Sequence, residues 1–274
     1  MPTPRRSPRL TAAREKAGPG APTAPERDGP PSSWWAQRIA WYPAGCFGPY
    51  RSPEVGYSRR ELAADAAVHL VGMLLGSVSG VVLLLRVAVP ECPQPVAAAV
   101  AMYVGSLLAM LYCSAAFNML VARLPRQLWA LQLADHTGIL LLIAGSYTPL
   151  MTILCFWRTL AFVWTVGLVS FVAKASRSAL DVLPLHVACF LAMGWAVLAI
   201  WSDLRGAVSP WALRQCVVGG AIYTAGLVPW AMSRLEFHNA IWHVFVLAAS
   251  GVFCVTIYVE VATPSAFWTS PCLV

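Results

Sequence analysis

Histidine and acidic side chains collect at the beginnings of several apolar stretches of the sequence. The histidines are His69, His136, His186, His238 and His243, and the acids are Glu61, Asp65, Asp135, Asp181 and Glu236. Imidazole and carboxylate groups bind transition metals and move protons, and apolar surroundings tolerate them only when they are paired. The pattern therefore predicts one shared polar or metal-binding site.

Helical spacing divides these residues into groups that share a face. Glu61, Asp65 and His69 follow one another at intervals of four. Two further pairs with the same interval are Ser114 with Asn118 and Asn239 with His243. Residues four apart lie on the same side of a helix, so each group can point at a common partner.

The apolar stretches are long enough to cross a membrane. The 274 residues are 58% hydrophobic and 11% charged, whereas soluble proteins carry about 25% charged residues. This composition excludes an ordinary soluble enzyme, a disordered protein and a disulfide-rich secreted domain. It predicts an all-α membrane protein, a seven-transmembrane helix bundle. The predicted spans are 66–86, 95–118, 134–155, 158–174, 182–201, 215–232 and 238–261.

The basic residues predict the orientation of the bundle. With seven spans, fifteen of the nineteen Lys and Arg fall on the side of the N-terminus and four on the other side. The positive-inside rule then places the N-terminus in the cytosol and the C-terminus outside. All five histidines are therefore expected near the inner leaflet. A simpler explanation is that the interface merely tolerates polar residues.

Three regions are predicted along the chain. Residues 1–60 form a disordered, basic, Pro-rich cytosolic tail that ends in a Trp-rich interfacial segment. Residues 61–262 form the membrane domain, and 263–274 form a short extracytoplasmic tail. The basic residues indicate topology and not nucleic-acid binding. Cys92 and Cys272 are both expected outside, where a disulfide between them could persist.

Four segments carry more specific motifs. They are Tyr57-Ser-Arg-Arg-Glu61-x3-Asp65-x3-His69, Ser114-Ala-Ala-Phe-Asn118, Asp135-His-Thr-Gly-Ile-Leu-Leu-Leu-Ile-Ala-Gly-Ser-Tyr-Thr-Pro149 and Asn239-Ala-Ile-Trp-His243. Together they resemble the hemolysin III and progestin/adipoQ receptor (PAQR) family, which includes the adiponectin receptors. The hemolysin III branch is the better match. The resemblance covers nearly all of the membrane part.

The resemblance implies a cytosolic N-terminus and a zinc site near the inner leaflet. In that family three histidines bind the metal and one aspartate reaches it through water. Members are linked to ceramide hydrolysis, to ligand reception and, in older naming, to haemolysis. On this chain the matching positions are Asn118, Asn239 and His243 for the metal, with Asp135 and Ser114 as the catalytic pair.

This sequence departs from the family at two of the three metal ligands. Asn118 and Asn239 stand where the family has histidine, and a neutral amide oxygen is a weak zinc ligand. Zinc binding therefore requires substitutes, and His69, His136 and His238 are the candidates. Glu61 and Asp65 complete the polar residues at the inner face.

Two functions follow, and a third is disfavoured. Without metal, the chain is a receptor-like, signalling or non-catalytic membrane protein with a hydrogen-bonded polar core. With metal, it is a ceramidase-like hydrolase of a lipid amide that enters from the membrane. A transporter or pore would need charges at mid-membrane depth, and almost none are present. The expected partners are membrane lipids with such a substrate or an unknown ligand, in the plasma membrane or an endomembrane.

Overall fold

A computed structural model describes residues 57–120, 124–263, 266–270 and 272. These residues belong to a compact unit that spans Phe47–Val274. The predicted cytosolic tail, 1–60, lies outside the described residues except for its last four positions. Parts of the predicted C-terminal tail also lie outside them. Both tails therefore remain predictions.

The described residues are helical and contain no β-strand. Three short 3-10 helices accompany the α-helices, at Pro125–Gln127, Ala196–Ile200 and Ala266–Thr269. The α-helices are α1 (Arg59–Val87), α2 (Gln94–Leu120), α3 (Leu128–Ile153), α4 (Trp157–Ala175), α5 (Leu183–Gly194), α6 (Trp201–Ala207), α7 (Pro210–Ala231) and α8 (His238–Glu260). The prediction of an all-α protein is confirmed.

Six segments are long and apolar enough to cross a membrane, among the residues that the structure describes. They are α1, α2, α3, α4, α8 and the continuous segment Leu183–Ala207, which joins α5 to α6. The sixth predicted span, 215–232, corresponds to α7, which has 22 residues and packs against α8. The chain is thus a multi-pass integral membrane protein. Its seventh crossing and the side of each terminus stay predictions.

The first helix turns its small residues inward and its large apolar residues outward. Gly72, Gly76 and Gly80 are buried, whereas Leu74 and Leu85 are about two-thirds exposed. A soluble protein rarely exposes such a continuous apolar face, whereas lipid tails accommodate it. This distribution supports a membrane location for α1.

The buried glycines let α1 approach α2 closely. A Cβ atom built on Gly80 would lie 2.9 Å from Val104 Cγ1, and one built on Gly76 would overlap Leu111. Small residues at intervals of four are the usual means of such close helix contact in membranes.

The remaining helices pack around α2, α3 and α8. Helix α2 lies between α1 and α3, and α4 packs against α3 and α5. Helix α8 contacts both α1 and α7. Because α8 follows α7 and returns to α1, the beginning of the membrane domain meets its end. This contact brings polar residues from distant parts of the sequence together.

The start of α1 is fixed by a capping box. Glu61 N donates to Ser58 Oγ at 3.2 Å, and Ser58 N donates to Glu61 Oε2 at 2.8 Å. These bonds satisfy amide groups that a helix start otherwise leaves unpaired. The cap explains why α1 begins at Arg59, seven residues before the apolar stretch predicted as the first span.

The predicted Cys92–Cys272 disulfide is wrong. Cys272 is bonded to Cys155, with 5.6 Å between their Cα atoms, and Cys92 is a free thiol. The sequence suggested that Cys155 closes the third span. Helix α3 ends at Ile153 instead, which leaves Cys155 in the following turn. Ser270 Oγ also donates to Ile153 O at 2.8 Å, which holds the tail beside that turn.

Candidate metal centre

Six polar side chains meet where α1, α2 and α8 pack together. We call them the junction cluster: Asp65, His69, Ser114, Asn118, Asn239 and His243. The first half of α1, the last two turns of α2 and the first two turns of α8 supply two residues each. The i,i+4 spacing within each helix turns both of its residues toward the other two helices.

Asp65 lies at the centre of the junction cluster. Its Oδ1 atom lies 2.6 Å from His243 Nδ1, and its Oδ2 atom accepts a hydrogen bond from Asn239 Nδ2 at 3.2 Å. Both carboxylate oxygens are thus held by α8. Because Asp65 belongs to α1, this residue joins the first helix of the domain to the last.

The two asparagines at the family's histidine positions bind each other. Asn239 Nδ2 donates to Asn118 Oδ1 at 3.0 Å. Asn118 Nδ2 donates to the backbone oxygen of Ser114 at 3.0 Å, and its distance to Ser114 Oγ is 3.5 Å. The amides therefore link α2 to α8 directly and hold Asp65 from one side.

His69 is oriented by two contacts. Its Nδ1 atom lies 2.8 Å from the backbone oxygen of Asp65, so Nδ1 carries a proton and donates it. In the neutral ring Nε2 then keeps its lone pair, and it lies 3.4 Å from Ser114 Oγ. The His69 and His243 rings meet edge to face, with 4.2 Å between their centroids. This tautomer leaves Nε2 as the metal-binding nitrogen.

Asp65, His69 and His243 could together hold one metal ion. One potential ligand atom from each lies within 4.8 Å of the others. Zinc sites use this donor set, two imidazole nitrogens and a carboxylate oxygen, with a further position open for water. Asp65 and His69 are both 6% exposed, and a buried group of this kind is normally paired or metal-bound. The residues present therefore fit zinc.

The predicted catalytic residues lie beside this donor group. Asp135, in the second turn of α3, interacts electrostatically with the side chain of Ser114, with His243 and with Asp65. Ser114 in turn contacts His69 and Asn118. A carboxylate next to a candidate metal group can accept a proton from a bound water. The structure thus places Asp135 on α3 against the junction cluster.

Comparison with known proteins identifies the family. The profile of the family described as "Haemolysin-III related" matches residues 60–254. The chain belongs to the hemolysin III family. It is 27% identical to Hemolysin-3 of Bacillus cereus over 212 residues, which cover 73% of this chain and 92% of that protein. It is 28% identical to the Hemolysin-3 homolog of Bacillus subtilis (strain 168) over 209 residues, which cover 74% of this chain and 96% of that protein. The resemblance seen in the sequence motifs is confirmed.

Two of the histidines proposed as substitute ligands face elsewhere in this hemolysin III family member. His238 Nε2 lies 3.1 Å from the Tyr57 hydroxyl, and the two rings are stacked. Glu61, besides capping α1, accepts a hydrogen bond at 3.2 Å from the backbone N–H of Phe237. Glu61 and His238 therefore fix the loop before α8 and position His243 indirectly.

His136 belongs to a second polar group, between α3, α4 and α5. We call it the serine relay: His136, Ser170, Lys174, Asp181 and His186. Ser170 Oγ lies 3.2 Å from His136 Nε2 and 2.9 Å from His186 Nδ1. His186 Nε2 lies 3.1 Å from Asp181 Oδ1, and Lys174 Nζ lies 3.6 Å from the same oxygen. His136 and His186 thus form a cluster separate from that of His69 and His243. The common membrane depth of the five histidines stays a prediction.

Ser170 is the functional candidate that sequence reasoning missed. The fourth predicted span, 158–174, carries few polar groups, which is typical of a packing or lipid-facing helix. Ser170 is nevertheless fully buried, and both of its imidazole partners come from other helices. The signal in the sequence was its interval of four from Lys174, which placed both residues on one face of α4.

Proposed function

We propose that this hemolysin III family protein is a seven-span receptor-like membrane protein whose junction cluster binds a zinc ion near the inner leaflet. The N-terminus would lie in the cytosol, as the basic residues indicate. The observation that carries the proposal is the convergence of Asp65, His69 and His243 from α1 and α8. None of the three stands at the two positions where this chain has asparagine and the family resemblance implies histidine.

The donor set explains how the chain could retain zinc without the usual histidines. Asp65 and His69 would replace the ligands lost at Asn118 and Asn239, and His243 would be kept. The asparagines then have a supporting role, since they bind each other and orient Asp65. Partners that orient the metal ligands are a regular part of zinc sites.

A receptor-like role is supported by how fully the cluster satisfies itself. Both oxygens of Asp65 accept hydrogen bonds, and the two amides and the serine bind one another. Such a connected network stabilises one arrangement of the helices that it joins. A ligand that displaced one member would change the contact between α1 and α8, and this change would be the signal.

The test is the zinc content of detergent-purified protein, measured by elemental mass spectrometry per mole of chain. About one zinc per chain is expected for wild type, and His69→Ala and His243→Ala should each lose most of it. His186→Ala is the matched control because His186 is a buried histidine in the serine relay. Wild-type protein that stays zinc-free after growth with added zinc would refute the metal site.

A second candidate function is a metal-dependent hydrolase of a lipid amide. The observation that favours it is the position of Asp135 and Ser114 beside the donor group. A bound zinc would supply an acidified water. In this reading the Asp135 carboxylate accepts the proton of the attacking water and later delivers it to the leaving amine. The Ser114 hydroxyl orients the water.

The two functions differ in one assay. Purified, zinc-loaded protein would be given a ceramide-type substrate, and fatty acid release would be followed by mass spectrometry. The hydrolase requires turnover that Asp135→Asn abolishes while the zinc content stays unchanged. The receptor-like function requires no turnover by folded, zinc-loaded wild type. Asp203→Asn, at an exposed carboxylate on α6, is the matched control.

A further inference from the structure

An apolar groove lies between α4 and the fifth segment, where the last turn of α5 continues into the 3-10 helix Ala196–Ile200. Its volume is about 400 Å³, within the range of about 300–1,000 Å³ typical of ligand pockets. The groove lies at the N-terminal end of α4, next to Trp157. The serine relay lies near the C-terminal end of the same helix. The lining residues of the groove are Arg158, Thr159, Phe162, Ala192, Ala196, Ala199 and Ile200.

The groove exists because the fifth segment changes its helical form. Helix α5 ends at Gly194, and a 3-10 helix, Ala196–Ile200, continues the chain. Tyr147 stabilises the break: its hydroxyl donates to Gly194 O at 2.8 Å and accepts from Val197 N at 3.1 Å. A side chain from α3 thus satisfies the backbone groups that the break sets free, as a membrane interior requires.

Small side chains leave the space open on this segment. Ala192, Ala196 and Ala199 follow one another at helical spacing and face the first turns of α4. Phe162, on the opposite wall, is 47% exposed, and Ala192 and Ala199 are exposed as well. The groove therefore opens sideways, on the surface of two segments apolar enough to span a membrane.

A single positive charge lies in the lining. Arg158 is exposed and has no acidic partner among residues 57–120, 124–263, 266–270 and 272. It lies in the first turn of α4, where unpaired backbone N–H groups add positive potential. The neighbouring Trp157 is 51% exposed, as expected for a tryptophan at a membrane–water interface.

We propose that this groove binds an anionic phospholipid, with an acyl chain between Phe162 and the three alanines and the headgroup phosphate on Arg158. The apolar walls fit a hydrocarbon chain and offer almost nothing polar to a water-soluble ligand. The sideways opening means that the occupant comes from the surrounding bilayer. The Arg158 guanidinium selects an anionic headgroup, because it binds a phosphate oxygen by charge-assisted hydrogen bonds.

Native mass spectrometry of purified full-length protein tests the proposal. Phosphatidylglycerol and phosphatidylcholine with identical chains would be titrated separately, and the Kd of the first bound lipid measured. Wild type is expected to bind phosphatidylglycerol about tenfold more tightly, the effect of one charge-assisted contact. Arg158→Gln should reduce this preference to about twofold or less. Arg205→Gln, the same change at an exposed residue on α6, should leave it intact.

A second pair of variants tests the groove itself. Ala199→Leu fills the groove from an exposed position and should weaken the binding of both lipids about fivefold or more. Ala101→Leu, at an exposed alanine on α2, should have no such effect. The proposal is overturned by equal wild-type affinities, by equal effects of the two arginine variants, or by unchanged binding in Ala199→Leu protein. The zinc content plays no part in these outcomes.

Discussion

Asp65 offers the sharpest test of the junction cluster. Its carboxylate is the acceptor that joins α1 to α8, through His243 at 2.6 Å and Asn239 at 3.2 Å. Asp65→Ala removes both bonds and leaves two buried or half-buried donors without their acceptor. We therefore expect a large loss of stability from a change of a few atoms.

The size of the loss can be worked out from the two bonds. A hydrogen bond to a charged group contributes about 1.5–3 kcal/mol, and both bonds end on the same carboxylate. Together they give about 3–6 kcal/mol. For a domain of this size 1 kcal/mol shifts Tm by about 2–4 °C, so Asp65→Ala should lower Tm by roughly 6–24 °C. Asp65→Asn keeps one acceptor oxygen and should lose about half as much.

The assay is thermal unfolding in detergent, followed by intrinsic tryptophan fluorescence. A chelator is added so that zinc binding does not contribute to the stability. Asp203→Ala is the matched control, since Asp203 is an exposed carboxylate on α6. A double-mutant cycle of Asp65→Ala with His243→Ala should give a coupling energy of at least about 1.5 kcal/mol.

Two results would refute this reasoning. If Asp65→Ala lowers Tm no more than Asp203→Ala does, the carboxylate does not join α1 to α8. If the Asp65 and His243 variants are additive, the short contact between these side chains contributes nothing to stability.

Three further predictions concern other parts of the bundle. Ser170→Ala should cost about 1–3 kcal/mol because two buried imidazoles lose a shared partner, whereas Ser176→Ala, at an exposed serine, should leave Tm unchanged. Gly76→Leu should separate α1 from α2 and prevent expression of folded protein, as judged by gel filtration. Gly105→Leu should be tolerated because a Cβ there meets open space. Serine at either cysteine of the disulfide should abolish the gel shift between reduced and oxidised protein, and Cys92→Ser should preserve it.

Much of the fold could be predicted from the sequence because a bilayer imposes simple rules. Long apolar stretches must be helices, and the last predicted span, 238–261, matches α8 (His238–Glu260) closely. The i,i+4 intervals correctly grouped Asp65 with His69 and Asn239 with His243. Such intervals depend only on helix geometry and need no knowledge of neighbouring helices.

What could not be predicted depends on how each helix is rotated in the bundle. His69, His136 and His238 were equal candidates to replace the missing ligands, since each is polar and at a suitable depth. His136 follows Asp135 directly, and a step of one residue turns it by about 100°. That rotation directs Asp135 to the junction cluster and His136 to Ser170. The sequence does not specify how α3 is rotated about its axis within the bundle.

Asn118 and Asn239, at positions where the family resemblance implies histidine, are best understood through the contact of α1 with α8. An amide pair at Asn118 and Asn239 makes a weak metal site, but an amide nitrogen can donate a hydrogen bond to a carboxylate. An imidazole nitrogen that binds a metal has no proton to donate. The pair therefore suits a cluster centred on Asp65. A candidate site built from α1 and α8 forms only when the first and last helices of the domain meet. Metal binding at the proposed site would thereby be linked to closure of the bundle, which ties the site to the arrangement of the helices.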